Sequence, residues 1–475
     1  MNSEVEKIQV FNTLTGKKED FVPVSGKTVK IYACGPTVYD SSHLGHARKE
    51  IVWDTVQRYL RFVGYDVIYV RNITDVDDKI INRAKERGIG PDKLAREYTF
   101  AFWEDMHALN VQAPDFEPRA TEFIAQMISF VEGLIKAGHA YQAGGDVYFD
   151  VGSFNDYGKL GKKNLDELMV GAREQVVAQE ELQKLKKNAV DFALWKSADK
   201  DELGWQSPWG YGRPGWHLEC STMVKHILGE TIDIHSGGED LVFPHHENEI
   251  AQSEALHKHP LARYWLHNGF IQVSQEKMAK SLGNFKTIKD LLHEYEPDAI
   301  RLFVLQTHYR NPIDFSPESL AAVKSGLQRL VRAAHLNDGL ELKGAAGKDI
   351  LAAAEKFKAE FRQAMNNDFN TAIAISHLYQ IADQISALKD KESAARQVLI
   401  DVLLEHAAVL GLTLLDNRKN LKDEQKEKLV GILLEMRQKA KADKDFERAD
   451  AIRKQLTDIG IAVMDTPQGA TWETI

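Results

Sequence analysis

Between Thr28 and Gly35 the chain reads TVKIYACG, an apolar run ending at a glycine-proline turn, and the pattern predicts a buried β-strand. From His46 to Gly64, in HARKEIVWDTVQRYLRFVG, apolar positions recur every three or four residues, which predicts an amphipathic helix stopped by Gly64. YDVIYVRNIT returns to continuous apolarity and reads as a second buried strand. Strand, helix and strand within about 50 residues describe a parallel pair joined by a crossover, the opening of a doubly wound, Rossmann-like α/β sheet. The loop from His43 to His46 then lies ahead of a helix N-terminus, where an anion is favoured.

The same patterns divide the rest of the chain. Short strands and helices, GGDVYFDV among them, read as an insertion over residues 113–204, within which REQVVAQEELQKLKK is a solvated helix or loop. IDIHSGGEDLVFPHHENEIAQSEAL resumes with a strand, a glycine loop and a helix, and the sheet ends near ARYWLHNGFIQV. The expected organisation is a sheet domain over 1–112 and 205–265, the insertion, a connecting region over 266–316, a helical bundle over 317–415 and a small domain over 416–475. PESLAAVKSGLQRLVRAAHL and FNTAIAISHLYQIADQISALK carry the bundle's amphipathic period, and the last segment reads as a helical hairpin with a strand and turn.

Composition narrows the class. A chain of 475 residues, 43% hydrophobic and 27% charged, can bury a large core, and its net charge of −10 argues against a wholly basic nucleic-acid coat. Charge is uneven, since Asp416 to Lys454 holds twelve Lys or Arg against nine Asp or Glu, a local +3 that leaves about −13 elsewhere. No apolar run approaches the roughly 18 residues of a membrane span, and MNSEVEKIQVFN lacks a secretory pattern, so no membrane partner and a cytoplasmic location are expected. Two cysteines cannot make a disulfide scaffold; in a reducing compartment their surroundings point to metal or catalysis.

Those surroundings are informative. Cys220 lies in RPGWHLECSTM, and FPHHENEIAQ follows; on a helix, His245 or His246 would share a face with Glu249. With Cys34 this makes a Cys, Cys, His, Glu set suited to one tetrahedral Zn(II). The second chemistry is phosphate binding. HLGH supplies His43 and His46 as donors and Gly45 as a bare surface on which a base can lie, and QEKMAKSLGNF supplies Lys277 and Lys280 as mobile point charges. Asp75, Asp77 and Asp78 read as a helix cap and solvated loop rather than a Mg(II) site.

HLGH and KMAKS together resemble the two signatures of the class I aminoacyl-tRNA synthetases. YACGPTVYD, NITDVDDKIINRA, YGKLG, DFALWK, SPWGYGRPGWHLECS, FPHHENEIAQ and RADAIRKQL are, in order, similar to segments of the cysteinyl-tRNA synthetase family, and they span nearly the whole chain. The resemblance implies a catalytic domain with a connective insertion, a stem-contact region carrying the KMAKS loop, a helical bundle and an anticodon-binding end. It implies that L-cysteine, ATP and tRNA(Cys) are substrates, and that His43, His46, Lys277 and Lys280 are the catalytic residues. Pro36, His43, Gly45, His46, Lys277 and Lys280 would hold ATP with its Mg(II), and Gly35, Thr74, Trp216 and His217 the cysteine. Cys34, Cys220, His245 and Glu249 would hold a zinc that binds the substrate thiol, which resolves the histidine pair in favour of His245. Arg437, Lys439, Lys441, Arg448 and Arg453 would meet the anticodon stem and loop, with Trp472 stacking on a base.

The sequence departs from the family at Ala279, where serine is usual, and in the charged excursion near residues 172–190. A monomer is the expected state. Two other functions fit parts of the pattern: a ligase joining cysteine to an amino sugar, and a non-catalytic zinc and RNA-binding protein. The tail RQKAKADKDFERADAIRKQLTDIGIAVMDT, which resembles the family's anticodon-binding end, disfavours the first, and the intact HLGH and KMAKS disfavour the second.

Overall fold

In the computed structural model the described residues are 7–164, 186–273, 276–277, 286–415, 423–443, 445–458, 461–466 and 469–474. The chain forms two compact units, Met1–Leu414 and Leu415–Ile475. The charged excursion lies almost wholly outside the described residues, as does Lys280.

The centre of the first unit is a four-stranded sheet in the order Ala262–Asn268, Ile232–Gly238, Thr28–Ala33, Asp66–Arg71, with every neighbouring pair parallel. The expected opening strands pair directly, Val29 beside Val67 and Tyr32 beside Val70. Chain order reverses between Thr28–Ala33 and Ile232–Gly238, so their carboxyl ends diverge into a crevice. Cys34 and Gly35 leave one strand there, and Gly237 and Gly238 finish the other.

The helix Leu44–Phe62 covers this sheet because Leu44, Ala47, Ile51, Val52, Val56, Tyr59 and Leu60 all face inward and are buried. It ends as expected, with Gly64 in the left-handed region (φ 94°) and its N–H on the Arg61 carbonyl.

The insertion is a five-stranded antiparallel sheet in the order Ala140–Ala143, Asp146–Phe149, Phe192–Ser197, Gly210–Pro214, Trp205–Ser207. Its last two strands run past Gly204, the boundary read from the sequence, because Trp195 pairs with Pro214 and Lys196 with Arg213. Met127, Phe130, Val131 and Leu134 of the helix Ile124–Lys136 pack with Phe149, Leu194 and Trp195 in a separate core. Four helices, Pro317–Ala334, Lys348–Asn366, Thr371–Ala387 and Ser393–Val409, form the bundle and share the core of the central sheet.

The second unit pairs helices Asp423–Ala442 and Phe446–Asp458 with a β-hairpin, Ile461–Thr466 against Gly469–Thr474, where one strand and a turn were expected. Ile452, Leu456 and Val463 make its core. Arg437 is buried, contrary to its expected place on a basic surface. Lys439, Lys441, Arg448 and Arg453 are exposed, and Trp472 is half-buried opposite Val463.

Candidate active site and metal centre

A cleft of about 500 Å³ opens at the crevice of the central sheet, lined among others by Gly35, Pro36, His43, Gly45, His46 and Trp216. The histidines organise their own helix end. His43 Nδ1 accepts from the Gly45 N–H at 3.1 Å, and the His43 N–H donates to His46 Nδ1 at 3.2 Å, a reciprocal cap. Both Nδ1 atoms therefore act as acceptors, which makes Nε2 the protonated nitrogen of each neutral ring. The rings lie 4.0 Å apart, centroid to centroid. A Cβ on Gly45 would come within 2.9 Å of the His43 ring, so this glycine is needed by the cap itself as well as by any base laid upon it.

Gly35 has a comparable reason. A Cβ there would lie 1.5 Å from the Asn72 carbonyl oxygen, so only glycine lets the two strand ends approach, and its N–H donates to Asn72 Oδ1 at 2.8 Å. The Pro36 carbonyl accepts from the Thr74 N–H at 3.1 Å. Thr74 stands behind this wall, buried, with its hydroxyl on Glu219 Oε2 at 3.1 Å.

The lysine signature is tied to the same place at both ends. Lys277 pairs across a short ladder with Gln272, next to Ile271 of the cleft lining. Where the chain resumes, the Leu44 N–H donates to the Lys286 carbonyl at 3.3 Å and the Ile288 N–H to the Ser42 carbonyl at 3.0 Å.

Beneath Trp216 the expected metal ligands converge. Cys34 Sγ, His245 Nε2, His246 Nε2 and a Glu249 carboxylate oxygen all lie within 4.8 Å of one another and are buried. Cys220 Sγ adjoins them, 3.7 Å from Cys34 Sγ and 3.7 Å from His245 Nε2, and both cysteines are free thiols. Glu249 Oε1 is 3.0 Å from His245 Nε2 and 3.5 Å from Cys34 Sγ. The predicted set of Cys34, Cys220, His245 and Glu249 is thus brought together, and His246 joins it as a fifth donor.

FPHHENEIAQ is not one helix. His245 and His246 belong to a wide turn, Val242–His246, and the regular helix begins at Glu247. The wide turn aims both histidines inward, so geometry alone leaves the choice between them open.

Each donor is held from behind. His245 Nδ1 meets His217 Nδ1 at 2.8 Å, and the Trp216 ring stacks on His245 at 4.1 Å. His246 Nδ1 meets His267 Nε2 at 2.8 Å, and His235 Nε2 meets Glu249 Oε2 at 2.8 Å. Such outer partners fix ring orientation at a metal centre. Neither His235 nor His267 was singled out in the sequence, although both lie on buried strands that run toward the crevice, His235 midway along Ile232–Gly238 and His267 near the end of Ala262–Asn268. Their register, with Gly237 beside His267, is visible only once the sheet is assembled.

Burial opposes charge on Glu249, yet the neighbouring His235 and His245 hold it down to about 2. Burial likewise opposes a thiolate at Cys220, but the Cys34 thiol and the His245 charge outweigh it and bring Cys220 down to about 6. Burial and the adjacent Cys220 push Cys34 up, so the two sulfurs share one proton. Buried sulfur, imidazole and carboxylate donors crowded this closely, with part of the set anionic, fit a zinc-type cation.

Asp75, Asp77 and Asp78 are engaged as local partners. Asp75 accepts from Thr121, Asp77 caps the helix Asp78–Arg87, and Asp78 pairs with Lys196 and Arg213.

The comparisons with known proteins agree with this geometry. The family described as tRNA synthetases class I (C) catalytic domain matches residues 20–325, a DALR domain matches 360–415, and a cysteinyl-tRNA ligase anticodon binding domain matches 431–472. The cysteine–tRNA ligase of Syntrophotalea carbinolica is 47% identical over 98% of this chain and 99% of its own length. The chain belongs to the cysteine–tRNA ligase family. Members from Bacillus pumilus and Haemophilus influenzae are each 47% identical over the same shares of both chains. Among solved structures, the methionyl-tRNA synthetase of Mycobacterium tuberculosis bound to methionyl-adenylate superposes with a TM-score of 0.59 at 15% identity, covering 81% of this chain and 90% of its own. At that identity the likeness speaks for the class I fold alone. Cysteine–tRNA ligase family membership, by contrast, rests on near full-length identity. Among the described residues no helix is long and apolar enough to cross a membrane.

Proposed function

We propose that this protein joins L-cysteine to tRNA(Cys) in two steps. The cysteine carboxylate attacks the α-phosphorus of ATP, forming cysteinyl-adenylate and expelling pyrophosphate. A terminal ribose hydroxyl of tRNA then attacks the adenylate carbonyl, forming the ester and releasing AMP. The observation that carries this reading is that the cleft holding the capped HLGH helix end is lined also by Trp216, whose ring stacks on His245 of a buried cluster of Cys34, His245, His246 and Glu249 with Cys220 beside it.

Zn(II) held by those four residues would act as a Lewis acid, lowering the pKa of the substrate thiol and binding its thiolate in preference to the hydroxyl of serine. Size alone discriminates such substrates by only about 10 to 200-fold, so a thiol-selective anchor removes the need for editing. Trp216, His217, Gly35 and Thr74 shape the cysteine pocket around it. No protein nucleophile is required. His43 and His46 would donate through Nε2 to phosphate oxygens as charge moves onto the leaving pyrophosphate, beside Pro36 and the bare Gly45 surface. Lys277, which pairs with Gln272, and Lys280, between it and Lys286, whose carbonyl accepts from Leu44, would close over a triphosphate accompanied by Mg(II). The second unit would receive the anticodon stem, through the exposed Lys439, Lys441, Arg448 and Arg453. The reading takes the protein as a cytoplasmic monomer.

ATP–pyrophosphate exchange tests the proposal, with cysteine, serine or no amino acid, before and after chelation. Exchange that requires cysteine, falls on chelation and returns with Zn(II) is expected. Exchange without subsequent charging of tRNA would move the acceptor to an amino sugar, and no exchange at all would leave a zinc and RNA-binding protein.

A further inference from the structure

The same cleft carries a lysine that none of these roles uses. Lys79 lines it and is exposed, and its ammonium lies 5.6 Å from the centroid of the Tyr39 ring, which also lines the cleft. Lys79 belongs to the first turn of the helix Asp78–Arg87, and its N–H donates to Asp77 Oδ1 at 2.8 Å, which fixes where the side chain starts. The carboxylates that precede it in the chain have partners of their own. Asp75 accepts from Thr121 and Asp77 from the cap, while Asp78 is 2.9 Å from Lys196 Nζ and 2.6 Å from an Arg213 nitrogen. Among the described residues no carboxylate forms an ion pair with the Lys79 ammonium, so it stands at a cleft that Asp240 also lines, able to take an anionic group of a ligand.

Position decides what that charge is for. The HLGH cap, whose Leu44 N–H meets the Lys286 carbonyl, lines the cleft together with Phe270 and Ile271. Lys79 reaches the cleft from the helix that follows Thr74, whose carbonyl accepts from the Val38 N–H, and next to the inserted sheet, whose Lys196 and Arg213 grip the neighbouring Asp78. A terminal ribose reaching the adenylate carbonyl must enter past a side that the triphosphate does not fill, and it arrives with its own phosphate. Ammonium over an aromatic ring is a pairing that suits a phosphate and a flat base together.

Resting on the proposed function, we infer that Lys79, held over Tyr39, is a positioning residue for transfer: its ammonium binds the phosphate of the 3′-terminal nucleotide of the tRNA acceptor strand, with the Tyr39 ring beside the base.

The test compares wild type, Lys79→Ala and Lys79→Arg in three assays: pyrophosphate exchange, tRNA charging, and direct tRNA binding as a function of salt. Lys79→Ala is expected to keep exchange within about twofold and to lose about tenfold in kcat/KM for tRNA. Its slope of log affinity against log salt should fall by about one, the signature of one lost phosphate contact, and Lys79→Arg should restore both. A helix-packing role would not change that slope. Exchange falling in parallel with charging would assign Lys79 to ATP instead, and unchanged charging with an unchanged slope would remove it from substrate binding; either overturns the inference. The binding arm reads Lys79 even if wild type fails to exchange pyrophosphate, so loss of the proposed function and loss of this inference are told apart.

Discussion

Cys34 shows how much one residue can carry when backbone and side chain are both constrained. Its N–H holds the Ser236 carbonyl at 3.1 Å, which pins the sulfur to the point where the strand order reverses. Its Sγ then faces Cys220, His246 and Glu249 within 3.7 Å. Cys34→Ser changes one atom and leaves the strand end intact. The expected outcome is a loss of at least about tenfold in zinc affinity together with loss of cysteine activation. Metal analysis after dialysis and pyrophosphate exchange check it; full zinc content with normal exchange would remove Cys34 from the ligand set. The pairing of His245 and His246 shows where residue-level reading stops. Helical spacing offered both as partners of Glu249, and the wide turn that replaces the helix keeps both aimed at the cluster.

At the scale of elements, the helix Leu44–Phe62 was legible because its apolar stripe, its cap and its stop glycine all agree. The two parallel strands were legible for the same reason. The end of the insertion was not, since Trp205–Ser207 and Gly210–Pro214 are short and their pairing partners lie across a turn and in Phe192–Ser197. Nor was the clasp that fixes the helix Leu44–Phe62 to its neighbours. Arg301, on Pro297–Leu305, is fully buried, 2.6 Å from Asp54 Oδ2 of that helix, and donates to the carbonyls of Leu109 and Leu410. No local pattern announces a contact spanning so much of the sequence. Arg301→Met takes the donor from the Leu109 and Leu410 carbonyls, while Asp54 keeps Arg58 at 2.9 Å and the Gln112 N–H, so it should cost about 1–3 kcal/mol in urea unfolding. Gly411→Ala attacks the same clasp sterically, because its Cβ would lie 2.0 Å from the guanidinium and its φ is 70°. It should destabilise the protein in the same assay, whereas a stability matching wild type would show that the clasp can yield.

At the scale of the molecule, the two compact units divide the proposed labour at a defined point. Asp298 accepts from the Thr413 N–H and hydroxyl and from the Leu414 N–H, so the first unit is tied down up to its last residue. Among the described residues its hydrophobic clusters contain none beyond Leu414, and the second unit has its own cluster around Leu456. A chain ending at Leu414 therefore keeps every residue of the clusters of the central sheet, the insertion and the bundle. In the proposed function, adenylate formation uses only groups from the first unit, namely the HLGH cap, the two signature lysines and the Cys, Cys, His, Glu cluster. Charging needs tRNA as well, and the locally basic stretch from Asp416 to Lys454, +3 against about −13 elsewhere, belongs to the second unit. Truncation after Leu414 should thus leave cysteine-dependent pyrophosphate exchange near the wild-type rate while raising KM for tRNA by more than about tenfold, since several phosphate contacts are lost at once. Equal loss of both activities would mean that the second unit supports the catalytic site itself, and unchanged charging would mean that recognition of the tRNA lies wholly within the first unit.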